Sequence, residues 1–247
     1  MKKLGLIGYP LGHSFSKKYY LEKFTKEDIK DVNYDLYSME DIREFEKLFN
    51  NKDFYGVNVT IPHKINVLSY LNELSAEANA IQAVNCIQIK HQADGPFLKG
   101  FNTDVYGFTE SLRPLLENHH KKALILGNGG AAKAVEYALN TLNIEYKFVS
   151  RTKTEQNLTY GELTDEILNE YLIIINCSPV GTFPNIEEAP QLPYHFIGER
   201  HLFYDLVYNP AETMFLKKGK INGAKIKNGL EMLELQAEKN WEIWNKI

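Results

Sequence analysis

Lys64 is a residue whose type and position in this sequence could do chemistry. It follows the stretch NVTIPH at residues 58–63, whose apolar start is typical of a strand and whose proline is typical of a helix start. Packing alone seldom places a lysine at a strand end, because the ammonium group must stay hydrated or paired. A lysine there could stabilise negative charge on a reacting oxygen and donate a proton to it. A solvated surface lysine would fit the same pattern.

A glycine-rich turn lies in the second half of the chain. Residues 127–132 read GNGGAA, follow the apolar stretch at 123–126 and open a helix-like segment. Gly127 permits a tight turn, Gly129 lets the backbone approach a pyrophosphate, and Ala132 keeps the helix close to the sheet. Free amides at the helix N-terminus would face the phosphates. A turn without ligand is the alternative, but the strand and helix context favours a dinucleotide site. With a proton-handling lysine, this predicts a dehydrogenase.

The end of the next predicted strand bears on the choice of cofactor. In NAD sites an acidic residue at this point accepts hydrogen bonds from the ribose hydroxyls. Here Ser150, Arg151 and Thr152 offer a guanidinium and two hydroxyls instead. Arginine is a planar, permanently charged donor that suits a ribose 2′-phosphate, so we predict NADP. Arg151 could also be a solvated charge at a strand end, and it does not settle the preference alone.

A polar loop joins the first predicted strand to the first predicted helix. It reads YPLGHSFS at residues 9–16, and Ser16 is the expected N-cap of the helix. Ser14 and Ser16, with free backbone amides at the helix N-terminus, could bind a carboxylate. Capping alone would also explain Ser16.

Composition and charge exclude several classes of protein. The 247 residues are 44% hydrophobic and 24% charged, as in ordinary globular domains, and suffice for two modest domains or one large one. A net charge of -4 gives no electrostatic argument for binding nucleic acid. An anionic substrate would therefore need local donors.

Cysteine and histidine usage argues against a metal or a disulfide framework. Cys86 and Cys177 are the two cysteines, and the seven histidines do not fall at metal-ligand spacings with them. The apolar run at the N-terminus is too short for a signal peptide, and no stretch approaches the roughly 20 apolar residues of a membrane span. We therefore expect a cytoplasmic protein, monomer or homodimer, that binds a small molecule and neither nucleic acid nor membrane.

Strand-like and helix-like segments alternate along the first hundred residues. Strands are predicted at 4–7, 32–36 and 55–59, and helices at 16–24 and 42–49. This βαβαβ pattern predicts an open α/β sheet with both faces covered. Segments 83–89 and 96–100 flank Asp94-Gly95, a tight-turn dipeptide, and predict a hairpin that ends the sheet in antiparallel pairing.

The second half predicts a further α/β layer and a long terminal helix. A helix is predicted over 103–116 with the domain boundary nearby, then strands at 122–126, 146–150, 172–176 and 202–205. The helix from the glycine turn should end near Leu142, and residues 229–247 read as the terminal helix. Its apolar stripe, which contains Leu233, Ala237, Trp241 and Trp244, should pack against the N-terminal domain.

Taken together, the motifs resemble the shikimate dehydrogenase family over almost the whole chain. They are residues 8–10 (GYP), 13–16 (HSFS), 58–64 (NVTIPHK), 83–85 (AVN), 100–104 (GFNTD), 127–132, 204–210 (YDLVYNP) and 229–233 (GLEML). Agreement at this many ordered and widely separated sites is far more specific than any single motif.

The resemblance implies a fold of two α/β domains and an activity. Residues 1–102 with a returning helix at 229–247 would form an open-sheet domain that binds substrate. Residues 103–228 would form the linking helix and a Rossmann-type domain that binds NADP. The implied reaction is the reversible, NADP-linked reduction of 3-dehydroshikimate to shikimate, a step towards chorismate and the aromatic amino acids.

The resemblance also implies roles for individual residues. Lys64 and Asp104 would form the catalytic pair, sharing hydrogen bonds with the reacting oxygen. The substrate carboxylate would be held by Ser14, Ser16 and Tyr208, and the ring hydroxyls would be surrounded by Thr60, Asn85 and Gln236. The implied cofactor-binding residues are Gly127, Asn128, Gly129, Gly130, Ala131, Ser150, Arg151, Thr152, Leu206 and Gly229.

Some residues depart from the family pattern, and two rival functions stay open. Gln82 replaces the usual glycine before Ala83, Cys86 replaces a threonine, and Ser178 and Thr182 replace threonine and methionine in a loop that normally borders the nicotinamide. One rival is a quinate-preferring relative that uses NAD. The other is a non-catalytic relative that binds a dinucleotide or a small acid and regulates a partner.

Overall fold

The computed structural model describes residues 1–12 and 14–245. His13 and residues 246–247, the end of the predicted terminal helix, lie outside the described residues. The chain divides into two compact units. The first comprises Met1–Asp104 with the C-terminal stretch that begins at Gln236, and the second comprises Val105–Leu235. In the described ranges, no helix has the length and apolar character needed to cross a membrane.

A six-stranded mixed sheet forms the centre of the first unit. Its strands are β1 (Lys2–Gly8), β2 (Val32–Ser38), β3 (Phe54–Val59), β4 (Glu73–Leu74), β5 (Cys86–Gln92) and β6 (Gly95–Phe101). They lie in the order β2-β1-β3-β5-β6-β4. The first three strands are parallel, whereas β5 is antiparallel to both β3 and β6. The predicted βαβαβ unit and the antiparallel hairpin are therefore both present.

Four helices and the end of a fifth complete this unit. They are α1 (Phe15–Lys26), α2 (Phe45–Phe49), α3 (His63–Asn66), α4 (Ala76–Ile81) and the last part of α9 (Leu230–Asn245). Trp244 of α9 is 3% exposed and its Nε1 donates to the Ile87 carbonyl at 3.0 Å. A Cβ on Gly56 would lie 2.2 Å from that Nε1, so glycine is required under the indole. The prediction that the terminal helix returns to the N-terminal domain is confirmed.

A parallel sheet forms the second unit. Its strands are β7 (Lys122–Leu126), β8 (Glu145–Ser150), β9 (Asn157–Thr159), β10 (Ile173–Asn176), β11 (Leu202–Asp205) and β12 (Lys225–Lys227), in the order β12-β11-β10-β7-β8-β9. Its helices are α5 (Asp104–Leu112), α6 (Gly130–Thr141), α7 (Asp165–Glu170), α8 (Met214–Ile221) and the start of α9. Every residue of β10 and β11 is buried, as expected for central strands of a parallel sheet covered on both faces.

Some predicted element boundaries were wrong. The helix expected over 103–116 ends at Leu112 and continues as a 3₁₀ turn, Arg113–Leu115, because Pro114 has no N–H for the α-helical ladder. The strand expected from Ala83 begins at Cys86. The short elements β4, α4, β9, α7, α8 and β12 were not predicted, since each is too short to show a clear hydrophobic period.

The N-cap of α1 is Ser14 and not Ser16 as predicted. The Ser14 side chain accepts from Lys17 N at 3.3 Å, and Ser16 lies inside the first turn. The helix begins one residue earlier than the hydrophobic pattern indicated, at Phe15, whose ring stacks on Tyr19 with centroids 5.5 Å apart. Both serines nevertheless stay at the N-terminus of this helix.

Gln82 adopts a left-handed conformation at the end of α4. Its φ is 57° and its ψ is 41°, and its N–H donates to the Ala78 carbonyl at 2.9 Å. Glycine is the usual residue at such a position, because a Cβ is crowded there. The glutamine noted in the sequence is thus accommodated with backbone strain.

Asp205 is a buried carboxyl group at the end of β11. Its Oδ1 accepts from Asn176 Nδ2 and from Val207 N, both at 3.0 Å, and its Oδ2 accepts from Thr213 Oγ1 at 2.5 Å. Burial raises the pKa of Asp205 to about 6 although these donors oppose the shift. The carboxyl group ties together the end of β10, the end of β11 and the start of α8.

Replacing Gln82 by glycine is expected to stabilise the protein. Glycine removes the cost of a left-handed side-chain-bearing residue, about 1 kcal/mol after its larger unfolded-state entropy is counted. Thermal and denaturant unfolding measure the change. As a matched control, Ala80→Gly in the same helix should lower the free energy of unfolding by about 1 kcal/mol. A loss of stability in Gln82→Gly would contradict the strain at this residue.

Asp205 should also make stability depend on pH. Its folded pKa of about 6 lies above the model value of 3.8, so the folded state binds more protons between those values and stability falls as pH rises. Asp205→Asn can keep three hydrogen bonds, because the Thr213 hydroxyl can accept as well as donate. We expect the wild type to lose roughly 2 kcal/mol relative to this variant between pH 4 and 6 in denaturant titrations. Parallel pH profiles would contradict the assignment.

Candidate active site

Lys64 and Asp104 form an ion pair in the first unit. Lys64 lies in the first turn of α3, directly after β3, and Asp104 is the first residue of α5. Their Nζ and Oδ2 atoms are 2.6 Å apart, and the two side chains are 25% and 13% exposed. Because the pair is partly buried but open to solvent, the ammonium group is held in place and still accessible to a ligand.

Asn85 fixes the other oxygen of the Asp104 carboxylate. Asn85 Nδ2 donates to Asp104 Oδ1 at 2.8 Å, while Asn85 Oδ1 accepts from Thr103 N at 2.7 Å. The Asn85 backbone is itself held between strands, since its N–H donates to Phe101 O at 3.0 Å and its carbonyl accepts from Val59 N at 2.9 Å. Both carboxylate oxygens therefore have a donor, which preorganises the pair.

The buried side chain of Asn58 makes a hydrogen bond to the Asn85 backbone. Asn58 Nδ2 donates to the Asn85 carbonyl at 3.2 Å, and Asn58 Oδ1 accepts from the Tyr34 hydroxyl at 2.8 Å. Tyr34 is fully buried, and burial raises the pKa of its hydroxyl well above the usual value, with the Ser16 side chain opposing the shift. Asn58 belongs to the first motif of the sequence, but its buried role was not predicted.

Helix α9 contributes two further amides to this cluster. Gln236 Oε1 lies 3.1 Å from Asn240 Nδ2 and 3.5 Å from Asn85 Nδ2. Asn240 Oδ1 in turn accepts from Thr103 Oγ1 at 2.6 Å. Sequence reasoning found Gln236 but missed Thr103 and Asn240. A usable signal existed, because Asn240 lies four residues after Gln236 and so shares its helix face.

The remaining predicted substrate residues lie at loop and helix ends. Ser14 caps α1 and Ser16 lies in its first turn, so both have hydroxyls near a helix N-terminus. Thr60 follows β3, donates its N–H to Ile7 O at 2.9 Å and packs its methyl group against Gly8. Tyr208 belongs to the second unit, follows β11 and is 36% exposed.

A cleft of about 630 Å³ lies at the carboxyl ends of β7, β8 and β10 in the second unit. The chain runs from β7 outwards to β8 and β9 and then returns to β10 on the other side of β7, so the cleft lies at the point where the strand order reverses. Dinucleotides bind at this place in open α/β sheets. The predicted cofactor residues that line it are Gly127, Asn128, Gly129, Ser150 and Arg151.

The glycine turn has the conformation that a phosphate-binding loop requires. Gly127 has a φ of 100°, and Gly129 is the N-cap of α6 without a capping side chain. A Cβ on Gly129 or Gly130 would meet no atom within 4 Å. The open backbone surface and the free amides of the first turn, where Gly130 and Ala131 lie, form a cradle that fits a pyrophosphate. The residues present thus fit a dinucleotide.

Arg151 supplies a positive charge to this cleft, directly after β8. Within the described part of the chain it makes no ion pair, whereas Lys153 Nζ is bound to Glu162 Oε1 at 2.6 Å. Burial raises the pKa of Tyr160, another cleft residue, and the nearby Arg151 guanidinium opposes that shift. The donor set therefore offers one free guanidinium for a ribose phosphate.

Five predicted cofactor residues do not line this cleft: Gly130 and Ala131, which lie in the first turn of α6, and Thr152, Leu206 and Gly229. Thr152 is exposed, and its carbonyl accepts from Ser150 Oγ at 2.8 Å, which shapes the loop. Leu206 and Gly229 pack against each other, because a Cβ on Gly229 would lie 2.2 Å from the Leu206 carbonyl oxygen. Glycine at 229 is therefore required by packing alone.

The loop after β10 borders the cleft and is held by Asn176. Asn176 Oδ1 accepts from Ser178 Oγ at 2.6 Å and from Ser178 N at 3.1 Å, and Asn176 Nδ2 donates to Asp205. The serine that departs from the family pattern thus retains a hydroxyl for this role. Burial raises the pKa of the Cys177 thiol, which keeps it protonated and unsuited to act as a nucleophile. Among the described residues, no group of three or more histidine, cysteine or acidic side chains could hold a metal ion.

Comparison with known proteins finds shikimate dehydrogenases that match the whole chain. Residues 6–87 match the family model described as shikimate dehydrogenase substrate binding domain. The shikimate dehydrogenase (NADP(+)) of Methanococcus maripaludis is 37% identical over 270 residues, which cover 100% of this chain and 92% of that enzyme.

Two solved structures are similar over the same length. Shikimate 5-dehydrogenase from Thermus thermophilus, in complex with NADP(H) and shikimate, has a TM-score of 0.84 at 29% identity and covers 100% of this chain and 94% of its own. The Listeria monocytogenes enzyme, in complex with shikimate and NAD, has a TM-score of 0.86 at 26% identity, with 100% and 92% covered. The chain belongs to the shikimate dehydrogenase family.

Proposed function

We propose that this protein is an NADP-dependent shikimate dehydrogenase that interconverts 3-dehydroshikimate and shikimate. The observation that carries the proposal is the Lys64–Asp104 ion pair, whose second carboxylate oxygen is held by Asn85. This arrangement suits a carbonyl reduction, in which negative charge develops on the carbonyl oxygen and a proton must reach it. The whole-chain similarity to NADP-linked enzymes supports the same substrate and cofactor.

Lys64 handles the proton in this mechanism. NADPH, when bound, supplies the hydride that reduces the ring carbonyl carbon. As the carbonyl oxygen gains negative charge, the Lys64 ammonium stabilises it and transfers one proton to it. Asp104 orients the ammonium, because the two groups are 2.6 Å apart. In the reverse direction neutral Lys64 accepts the hydroxyl proton.

The substrate carboxylate is assigned to the hydroxyl groups of Ser14, Ser16 and Tyr208. Ser14 accepts a hydrogen bond from Lys17 N, which leaves its own O–H free to donate. The α1 N-terminus adds favourable electrostatics for an anion, and a chain of net charge -4 needs such local donors. The ring hydroxyls are assigned to Thr60, Asn85 and Gln236, the last two of which belong to the buried amide cluster.

NADP binding is assigned to the second unit. The amides of the first turn of α6 would hold the pyrophosphate and Arg151 the 2′-phosphate. The proposed preference for NADP over NAD depends on the guanidinium of Arg151, since Lys153 is already paired with Glu162. The domain roles and bounds, a monomeric or homodimeric state and a cytoplasmic location stay predictions.

A spectrophotometric assay tests the proposed function. Purified protein is given shikimate or quinate, each with NADP or NAD, and absorbance is followed at the nicotinamide band. Selective turnover of shikimate with NADP is expected. A preference for quinate or NAD would leave the chemistry and change the substrate or cofactor. Cofactor binding without turnover would favour the regulatory alternative.

Lys64→Ala should lower kcat and leave the affinity for NADPH near that of the wild type. The loss of general acid–base catalysis is expected to cost about 100- to 10,000-fold in rate. Steady-state kinetics and NADPH fluorescence titration measure the two effects. Lys18→Ala is the matched control, since the Lys18 side chain is 79% exposed in α1. Near-normal turnover in Lys64→Ala would remove Lys64 from the mechanism.

Arg151→Ala should weaken NADPH about tenfold or more and change the affinity for NADH little, because a charge-assisted hydrogen bond to the 2′-phosphate is lost. Titrations with NADPH and with NADH measure the ratio of the two dissociation constants. Lys153→Ala removes a neighbouring cation that is bound to Glu162, so it should leave the ratio nearly unchanged. Equal weakening of both cofactors by Arg151→Ala would rule out the assigned contact.

A further inference from the structure

Asn240 is a buried amide that the reaction as described does not use. It lies in α9, has no exposed surface and follows Gln236 by one helical turn. A buried side-chain amide is costly unless both its oxygen and its nitrogen find partners. Asn240 finds both, since its Oδ1 accepts from Thr103 Oγ1 at 2.6 Å and its Nδ2 donates to Gln236 Oε1 at 3.1 Å.

The direction of the hydrogen bonds that Asn85 makes follows from one main-chain group. Thr103 N carries a hydrogen and can only donate, so the atom of Asn85 that lies 2.7 Å away must be the oxygen. Asn85 therefore turns its Nδ2 towards the Asp104 carboxylate, which can only accept, at 2.8 Å. The orientation of this amide does not depend on any choice between oxygen and nitrogen.

The same reasoning orients Gln236. The second hydrogen of Asn85 Nδ2 points towards the Gln236 side chain at 3.5 Å, which favours an oxygen at that place. With its oxygen there, Gln236 also accepts from Asn240 Nδ2, and the Asn240 oxygen then accepts from the Thr103 hydroxyl. Thr103, Asn85, Gln236 and Asn240 form a closed ring in which each donor faces an acceptor.

We infer that Asn240 is a positioning residue that turns the amide of Gln236 so that its Nε2, and not its oxygen, is presented to the substrate. In the part of the chain that the structure describes, Gln236 Nε2 makes no hydrogen bond, so this group is available to a ligand. The inference rests on the proposed function, in which Gln236 binds the ring. It assigns Gln236 as a donor to a substrate oxygen, which selects for a hydroxyl or carbonyl at that place.

Asn240→Asp separates this orientation from its reverse. An ionised aspartate offers acceptors alone, so Gln236 would turn its Nε2 inwards and leave its oxygen facing the substrate. Asn240→Ala removes the donor without imposing the reverse orientation. We therefore expect KM for shikimate to rise about three- to tenfold in Asn240→Ala. A larger rise is expected in Asn240→Asp, measured at pH 9 so that the carboxyl is ionised.

The accompanying readouts distinguish positioning from a general loss of structure. Both variants should keep kcat and the KM for NADP within about twofold of the wild type, because Thr103 N still orients Asn85 next to the catalytic pair. Asn245→Ala, on the exposed end of the same helix, is the matched control and should leave all constants unchanged. If Asn240→Asp binds shikimate better than Asn240→Ala, the Gln236 amide has the opposite orientation and the inference is overturned.

A double-mutant cycle keeps the test valid if the aspartate variant does not fold. Asn240→Ala should raise KM for shikimate in the wild-type background and have little further effect in the Gln236→Ala background. Equal effects in both backgrounds would overturn the inference. The same cycle on thermal unfolding is independent of turnover: non-additive effects support the ring, and additive effects contradict it. Absence of wild-type turnover would count against the proposed function and not against this coupling.

Discussion

The main-chain N–H of Thr103 is the group on which the orientation of the catalytic cluster depends. It fixes the oxygen of Asn85, which leaves the Asn85 nitrogen to hold Asp104, and Asp104 in turn holds the Lys64 ammonium. Because a backbone N–H cannot reverse its polarity, a single peptide group determines which way the Asn85 amide faces. Backbone hydrogen bonds to β3 and β6 hold Asn85 in place, so the sheet supplies the rigidity that proton transfer requires.

The second unit solves a different physical problem, which is to expose backbone donors without a side chain in the way. Gly127 takes a positive φ and Gly129 leaves the first turn of α6 uncapped, so free amides face an open cleft. Asp205, in the same unit, is a buried carboxyl group that holds neighbouring segments together. It accepts from three donors on neighbouring segments and ties the cleft loops to the sheet, at the cost of burying a carboxyl group.

Much of this organisation could be predicted from the sequence, because the signals were long or chemically specific. The strand patterns, the glycine turn and the stripe that contains Trp244 indicated two α/β layers and a returning helix. The conformation of Gln82 could not be predicted, since propensity does not indicate a left-handed glutamine. Ser14 and not Ser16 is the cap because a shift of one residue in the helix start changes little in the hydrophobic pattern. Asn240 was missed because a buried amide has no periodic signal of its own and gains meaning through partners distant in sequence.

The most direct test of the role of Lys64 and Asp104 is a crystal structure of the protein with shikimate and NADP bound. If Lys64 and Asp104 handle the proton, one ring hydroxyl will lie within hydrogen-bond distance of both Lys64 Nζ and the Asp104 carboxylate. A ring whose hydroxyls all lie beyond reach of Lys64, while its carboxylate is bound elsewhere than at Ser14 and Ser16, would contradict it.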